Sequence, residues 1–134
     1  MIVVLDSNIW VSLAINQQLE LIASLQKNGT TIASCENLLN ELIDVLFRPK
    51  FKKYFTKSYI EKLIHLHQFV TTTFNLTEIE NVVTDEKDNY LFALCKISNA
   101  DYFVTGDRLL LALPNYRTTA IVTLADFKNI LKSA

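Results

Sequence analysis

Short apolar segments alternate along the chain with longer segments in which apolar residues recur at helical spacing. Four of the short segments are rich in β-branched or aromatic residues and predict buried strands at residues 2–5, 30–33, 102–105 and 120–123. Residues 72–76 are a further strand candidate.

The segments between these strands are predicted to be helical. A helical stretch opens at Asp6 and continues through Leu25 until Asn28-Gly29, a pair that favours a helix end. Further helices are predicted at residues 36–47, 60–70, 88–97, 107–111 and 125–131. Strands that alternate with helices favour a parallel sheet covered by helices on both faces. We therefore expect an α/β fold in which one domain, residues 1–134, forms a three-layer α/β/α sandwich around a twisted, mainly parallel sheet.

The composition narrows the possible functions. The 134 residues suit one domain, and half of them are hydrophobic, which is enough for a core. Thirteen basic and fourteen acidic residues give a formal net charge of −1, whereas proteins that bind nucleic acid through bulk charge are far more basic. Any contact with RNA therefore requires a local basic patch.

The two cysteines, Cys35 and Cys95, stand alone among apolar residues and lack the Cys-x-x-Cys or Cys/His spacing of a structural zinc site. Reduced thiols in a core suit the cytosol. The first residues do not resemble a signal peptide, and no apolar run approaches the roughly 20 residues of a membrane span. We expect a cytoplasmic protein without a membrane segment.

Acidic side chains lie at the ends of two of the predicted strands. Asp6 comes after the first strand and Asp107 after a later one, and in α/β sheets ligands bind outside the carboxyl ends of the strands. Asp88 opens a predicted helix, and Glu41 lies on the polar side of another. Each also has an ordinary explanation. The three aspartates stand at helix starts, where Asp is a favoured N-cap, and Glu41 could simply be solvated.

Other charged residues have similarly open roles. Asp85 is either a cap or an outer acid that supports a site. Asp44 and Arg48 are four positions apart on a predicted helix and are expected to pair with each other.

Four segments together carry a resemblance to a known family. They are Leu5-Asp6-Ser7-Asn8, Glu41-Leu42 with Val45-Leu46-x-Arg48-Pro49-Lys50-Phe51, Asp88 before Leu91-x-Ala93, and Ala100-Asp101-Tyr102-Phe103-Val104-Thr105-Gly106-Asp107. In this order they resemble PIN-domain nucleases, and most of all the branch of toxins from type II toxin–antitoxin pairs. The resemblance extends from residue 1 to about residue 130, and the last segment is its most specific part.

The resemblance implies that Asp6, Glu41, Asp88 and Asp107 form one metal site, with no core acid of the family missing. It also implies that Asn8 and Thr105 support this site. Carboxylate oxygens favour Mg²⁺ or Mn²⁺, and crowded carboxylates require a cation or a proton. The implied activity is hydrolysis of RNA by a metal-activated water. The implied partners are a cognate antitoxin and a second copy of the chain.

Basic and aromatic residues interleave in the segment after residue 47. The cations are Arg48, Lys50, Lys52, Lys53 and Lys57, and the aromatic residues are Phe51, Tyr54 and Phe55. Cations for phosphate and aromatic rings for stacking are typical of single-stranded RNA binding, and we interpret the first four cations in this way. A solvated loop whose rings fill the core explains the same pattern, and the two interpretations are compatible.

Other catalytic classes fit poorly. His65 and His67 are two positions apart on a helix and cannot act as a pair. A response-regulator receiver needs a Lys after the last strand, and a dehalogenase-type phosphatase needs an Asp at position 8, which is Asn. Two glycines in the whole chain leave no phosphate-binding loop. The remaining alternative is a PIN-like module that binds RNA or protein without cleavage.

Overall fold

The computed structural model describes residues 1–133, and six strands in this part of the chain form one sheet. The strands are β1 (Ile2–Leu5), β2 (Thr31–Ser34), β3 (Thr71–Thr73), β4 (Tyr102–Val104), β5 (Asn115–Tyr116) and β6 (Thr119–Val122). The helices are α1 (Ser7–Ile15), α2 (Glu20–Lys27), α3 (Glu36–Leu46), α4 (Lys57–Val70), α5 (Asn89–Ser98), α6 (Arg108–Leu111) and α7 (Leu124–Ser133). Single 3₁₀ turns occupy Pro49–Phe51 and Glu86–Asp88.

Across the sheet the strands run in the order β3–β2–β1–β4–β6–β5. Every neighbouring pair is parallel except β5 and β6, which are antiparallel. The central strand β1 is flanked by β2 and β4, so the residues that follow β1 and β4 leave the sheet side by side.

The side chains of β1 alternate between two core clusters, as the pleat of a strand requires. Val3 and Leu5 pack with residues of α1, α2, α4 and α7, whereas Val4 packs with residues of α5. Helices therefore cover both faces of the sheet, and the predicted three-layer sandwich with a mainly parallel sheet is confirmed. Within residues 1–133, no helix combines the length and the apolar character needed to cross a membrane.

Three local features differ from the sequence-based expectations. The helical stretch from Asp6 is interrupted between α1 and α2, where Gln17 adopts a left-handed backbone with φ of 54°. The candidate strand at residues 72–76 is shorter and begins earlier, at Thr71. Strand β5 was not expected, because two residues are too few to produce a recognisable alternation of apolar and polar positions.

The buried polar residue His67 lies on the apolar face of α4. Its Nε2 is 2.8 Å from Ser34 Oγ, and its ring centroid is 4.6 Å from that of Trp10. Burial lowers the pKa of His67 to about 4, so this imidazole is neutral at physiological pH. Cys35 and Cys95 are buried free thiols, which confirms their assignment to the core.

Candidate metal centre

A pocket of about 490 Å³ lies beside the ends of β1 and β4, at the edge of the sheet where parallel strands finish. Five carboxylate residues line it: Asp6, Glu41, Asp85, Asp88 and Asp107. They come from the end of β1, from α3, from the segment before α5 and from the start of α6. The fold thus brings all four predicted metal ligands, and the predicted supporting acid, to one pocket, which we call the acidic pocket.

Asp6 is the most firmly held of these acids and is only 4% exposed. Its Oδ1 accepts a hydrogen bond of 2.7 Å from the Ser7 amide, which caps α1. Its Oδ2 accepts from Thr105 Oγ1 at 2.7 Å and from Asn8 Nδ2 at 3.2 Å. Burial raises the pKa of Asp6 to about 6; the bond from Thr105 opposes this rise, and the charge of Glu41 adds to it.

Asn8 and Thr105, which the sequence suggested as supporting residues, connect the ends of β1 and β4. The Thr105 hydroxyl donates to Asp6 and accepts from the Asp107 amide at 3.1 Å. Asn8 donates to Asp6, and its Oδ1 accepts from the Gly106 amide at 3.1 Å. Both side chains thereby hold the segment that carries Asp107 against the segment that carries Asp6.

Asp107 caps a helix with its side chain, whereas Asp88 does not. The Oδ1 of Asp107 accepts from the Leu109 amide at 2.9 Å and caps α6, so capping and pocket lining coexist at this residue. Asp88 precedes α5, but its side chain makes no capping hydrogen bond, and the N-cap explanation is wrong for it. Burial raises the pKa of Asp88, and the nearby charges of Asp85, Asp107 and Glu41 raise it further.

Glu41 has a partner that the sequence did not suggest. The hydroxyl of Tyr90, a buried residue of α5, donates a hydrogen bond to Glu41 Oε2. Burial and the Glu41 carboxylate raise the pKa of Tyr90 far above its usual range, so the phenol keeps its proton and acts as a donor. Tyr90 follows Asp88 by two positions in an apolar helix, which made it indistinguishable from an ordinary core residue.

Asn89 is a second residue that the sequence did not single out. It is buried at the start of α5, and its Oδ1 accepts from the amides of Val82 and Val83, both at 2.9 Å. These bonds fix the segment that leads to Asp85 and Asp88. A polar residue that opens an otherwise apolar helix was the available signal.

Two of the four predicted RNA-binding cations line the acidic pocket, and the other two do not. Arg48 and Lys50 line the acidic pocket, together with Lys87, whereas Lys52 and Lys53 are not among its lining residues. Arg48 also pairs with Asp44 at 3.3 Å, as its spacing predicted.

Two of the three aromatic residues of this segment pack into the core, and the third is half exposed. Phe55 is buried in the core and Phe51 packs against it, which matches the interpretation of a loop with rings directed inward. Tyr54 is half exposed, and the ammonium group of Lys53 lies 5.1 Å from its ring centroid.

The chemistry of the pocket suits a hard divalent cation, because every acidic donor is an oxygen and because burial, together with neighbouring acids, raises the pKa of Asp6 and of Asp88. Over residues 1–133, however, no group of three Asp, Glu, His or Cys side chains is arranged to hold an ion as it stands. The donor types therefore fit Mg²⁺ or Mn²⁺, and an ion bound here would require side-chain rotation to bring the donors together.

Two comparisons with known proteins agree with this description. A family model described as "PIN domain" matches residues 2–109. Among solved structures, a chain of VapBC2 from Rickettsia felis, in a crystal structure bound to a DNA fragment from their promoter, has a similar fold with a TM-score of 0.62. The two chains are 18% identical over 92% of this chain and 98% of that one, a likeness that shows the fold. No curated protein matches the chain.

Proposed function

Since the chain belongs to the PIN domain family, we propose that it is a divalent-metal-dependent endoribonuclease whose active site is the acidic pocket. One observation carries the proposal. Asp6, Glu41, Asp88 and Asp107 come from four separate parts of the chain and line the same pocket. Capping explains the position of Asp107 and part of that of Asp6, but it explains neither Asp88 nor the convergence of all four.

In the proposed site, Asp6, Glu41, Asp88 and Asp107 hold Mg²⁺ or Mn²⁺. When bound, such an ion would supply positive charge beside the scissile phosphate and acidify the attacking water. Asp6 and Asp107 are oriented by Thr105, Asn8 and the starts of two helices. The phenol of Tyr90 orients Glu41 and leaves its second oxygen free.

The cations of the pocket supply the contacts to RNA in this proposal. Arg48, Lys50 and Lys87 line the same pocket as the acids and can neutralise backbone phosphates on either side of the cleaved bond. A local patch of this kind reconciles RNA binding with a net charge of −1.

Cleavage of a mixed RNA pool tests the activity. We expect cleavage with Mn²⁺ or Mg²⁺, none with EDTA, and a loss of at least about 100-fold in Asp6→Asn, because removal of a ligand should exceed the 10–100-fold cost of removing a supporting residue. Asp126→Asn, which changes an exposed acid of α7, is the matched control and should cleave like the wild type. Undiminished cleavage in EDTA would contradict the metal mechanism. RNA binding without cleavage in Mn²⁺ would favour the non-catalytic module.

We further propose that the protein is the toxin of a toxin–antitoxin pair, acts in the cytoplasm, and forms a homodimer that binds a cognate antitoxin. Support comes from the resemblance of its motifs to that branch of the family and from the fold shared with a chain of VapBC2. Expression of the chain alone in a bacterium should slow growth, and Asp107→Asn should relieve the effect. Equal growth arrest by both proteins would separate any toxicity from nuclease activity.

A further inference from the structure

A second pocket, of about 340 Å³, adjoins the acidic pocket and shares Asp85 and Asp88 with it. Apart from these acids and Thr84, its lining is apolar: Val82, Val83, Leu109, Leu110, Ala112 and Leu113. We call it the apolar pocket. The segment before α5 forms one wall, and α6 with the residues after it forms the other. None of these apolar residues has a role in the metal site.

We infer that the apolar pocket binds the base of a nucleotide next to the scissile phosphate. The inference rests on the proposed ribonuclease function. A strand of RNA whose phosphate lies in the acidic pocket must leave that pocket along its walls, and Asp85 and Asp88 line both that pocket and the apolar pocket. The two pockets thus offer acidic and basic groups for the backbone and an apolar surface for the adjacent base.

The surfaces of the apolar pocket suit the flat face and polar edge of a base. Leu110 is fully buried, and Val82, Val83 and Leu113 pack against the core, so the floor is apolar and fixed. Leu109 is 77% exposed at the rim and is available to cover one face of a base. Apolar side chains commonly enclose bases in this way. The oxygens of Thr84, Asp85 and Asp88 can accept hydrogen bonds from an amino group on its edge.

The wall before α5 is held in place in advance of binding. Asn89 Oδ1 accepts from the amides of Val82 and Val83 at 2.9 Å, and Asn89 itself is buried. A wall fixed by hydrogen bonds to a buried side chain loses little conformational entropy when a ligand binds, which favours recognition of a small rigid group.

The dimensions favour a base over a protein surface as the occupant. Leu109 is the large apolar side chain of this pocket that remains mostly exposed, and the shared acids limit the apolar area on one side. Stable protein interfaces bury about 1,200–2,000 Å² in total, far more than one leucine and a pocket of this volume supply.

Cleavage-site mapping on a randomised RNA pool gives the first test. The wild type should show a base preference at one position beside the cut, and Leu109→Ala should reduce that preference by up to about tenfold while cleavage summed over all sequences changes less. Phe69→Ala is the matched control, since Phe69 is 87% exposed on α4 and lies outside both pockets. An identical preference in Leu109→Ala and wild type would overturn the assignment.

Titration with adenosine, cytidine, guanosine and uridine gives a test that does not depend on cleavage. These nucleosides carry no phosphate, so they report on the apolar pocket without the acidic one. We expect saturable NMR shifts of the Val83, Leu109 and Leu113 methyl groups with at least one nucleoside, and smaller shifts of the Leu109 and Leu113 methyl groups in the Val83→Ala variant. Methyl shifts with none of the four would overturn the proposal. Shifts that follow protein concentration alone would assign the pocket to a contact between two copies and overturn it as well.

The two tests distinguish failure of this inference from failure of the proposed function. A protein that cleaves no RNA refutes the ribonuclease proposal, and the nucleoside titration then still decides whether the apolar pocket accepts a base. A protein that cleaves RNA without using Leu109 refutes the base site alone.

Discussion

The acidic pocket has two sides that are built differently. Its fixed side consists of Asp6, Asp107, Asn8 and Thr105, joined by hydrogen bonds of 2.7–3.2 Å between the ends of two adjacent parallel strands. Its open side consists of Glu41, Asp85 and Asp88, which belong to a helix and to the segment before another helix. On the open side, Tyr90 holds Glu41, and Asp88 makes no capping bond.

Under the proposed function, this difference indicates which side of the pocket adapts to a bound ion. Each strand end of the fixed side is tied to its neighbour, so movement there breaks several hydrogen bonds at once. Because no three acids are arranged to hold an ion in the described chain, residues 1–133, some donors must turn toward it. We expect those to be the carboxylates of the open side. Substitutions on the two sides should therefore have different consequences.

The largest expected effect is that of Asp88→Asn on the open side. Burial and, after it, the neighbouring acids raise the pKa of Asp88, so at neutral pH its charge destabilises the metal-free protein, and the amide should increase the free energy of unfolding. The same variant should lose cleavage. Saturation with Mn²⁺ at 100 times its dissociation constant should stabilise the wild type by about 2.7 kcal/mol and the variant much less.

Thermal melts with EDTA and with Mn²⁺ measure both quantities for Asp88→Asn. The advantage of the variant should vanish in acid, below the ordinary Asp pKa of 3.8, where the wild-type carboxyl is protonated in the folded and unfolded states alike. A variant that is less stable in EDTA yet gains as much from Mn²⁺ would show that Asp88 is a structural residue and no ligand.

The next effect tests the fixed side through Thr105→Val. The hydroxyl lowers the pKa of Asp6, so its loss should raise that pKa further above about 6 and let protons compete with Mn²⁺ up to a higher pH. Mn²⁺ affinity should fall roughly 10–100-fold, and most strongly near pH 6. Calorimetric titrations at several pH values measure this, with Thr105→Ser, which keeps the hydroxyl, as the control. Equal losses in the Val and Ser variants would refute the role of the hydroxyl.

A smaller effect is expected from Tyr90→Phe, which removes a single hydroxyl from the open side and keeps the ring in the core. Loss of the donor to Glu41 should reduce Mn²⁺ affinity by about tenfold, the low end of the cost of removing a partner that orients a metal ligand. The same titration measures it. A loss as large as that of Thr105→Val would mean that Glu41 belongs to the rigid part of the pocket.

The smallest effect concerns the cations beside the pocket. Lys50→Gln should weaken binding to single-stranded RNA several-fold and reduce its salt slope by about 0.7, because Lys50 lines the acidic pocket. Lys52→Gln, a neighbour that does not line the pocket, is the control and should leave the slope unchanged. Equal effects of the two substitutions would indicate that the whole basic segment contacts RNA.

The two sides of the pocket also differ in how well the sequence predicted them. Asp6 and Asp107 were predictable because the carboxyl ends of parallel strands meet at one edge of a sheet, and each acid lies within three residues of the end of its strand. Asn8 and Thr105 were assigned only through the family resemblance. The contact of Tyr90 with Glu41 could not be predicted, since helical spacing gives the buried face of α5 but not the residues that face it from a distant part of the chain.

The same limit applied to the fold. Long segments with a regular apolar period, such as the one that forms α4, were predicted within a few residues, because burial of one face determines both the period and the helix. The break at Gln17 was not predicted, because the apolar period continues across it and because Gln rarely adopts the left-handed backbone conformation. Strand β5 acquires its conformation from pairing with β6, which is a tertiary contact.

The two edge strands of the sheet affect the tendency of the protein to aggregate. Strand β3 has three residues and strand β5 has two, so each edge of the sheet presents very few unpaired backbone amides and carbonyls. An extended segment of another molecule would gain only about one or two main-chain hydrogen bonds by pairing with either edge strand. Short edge strands are a known protection against aggregation through strand pairing. A concentrated solution of the folded protein should therefore resist seeding by cross-β material.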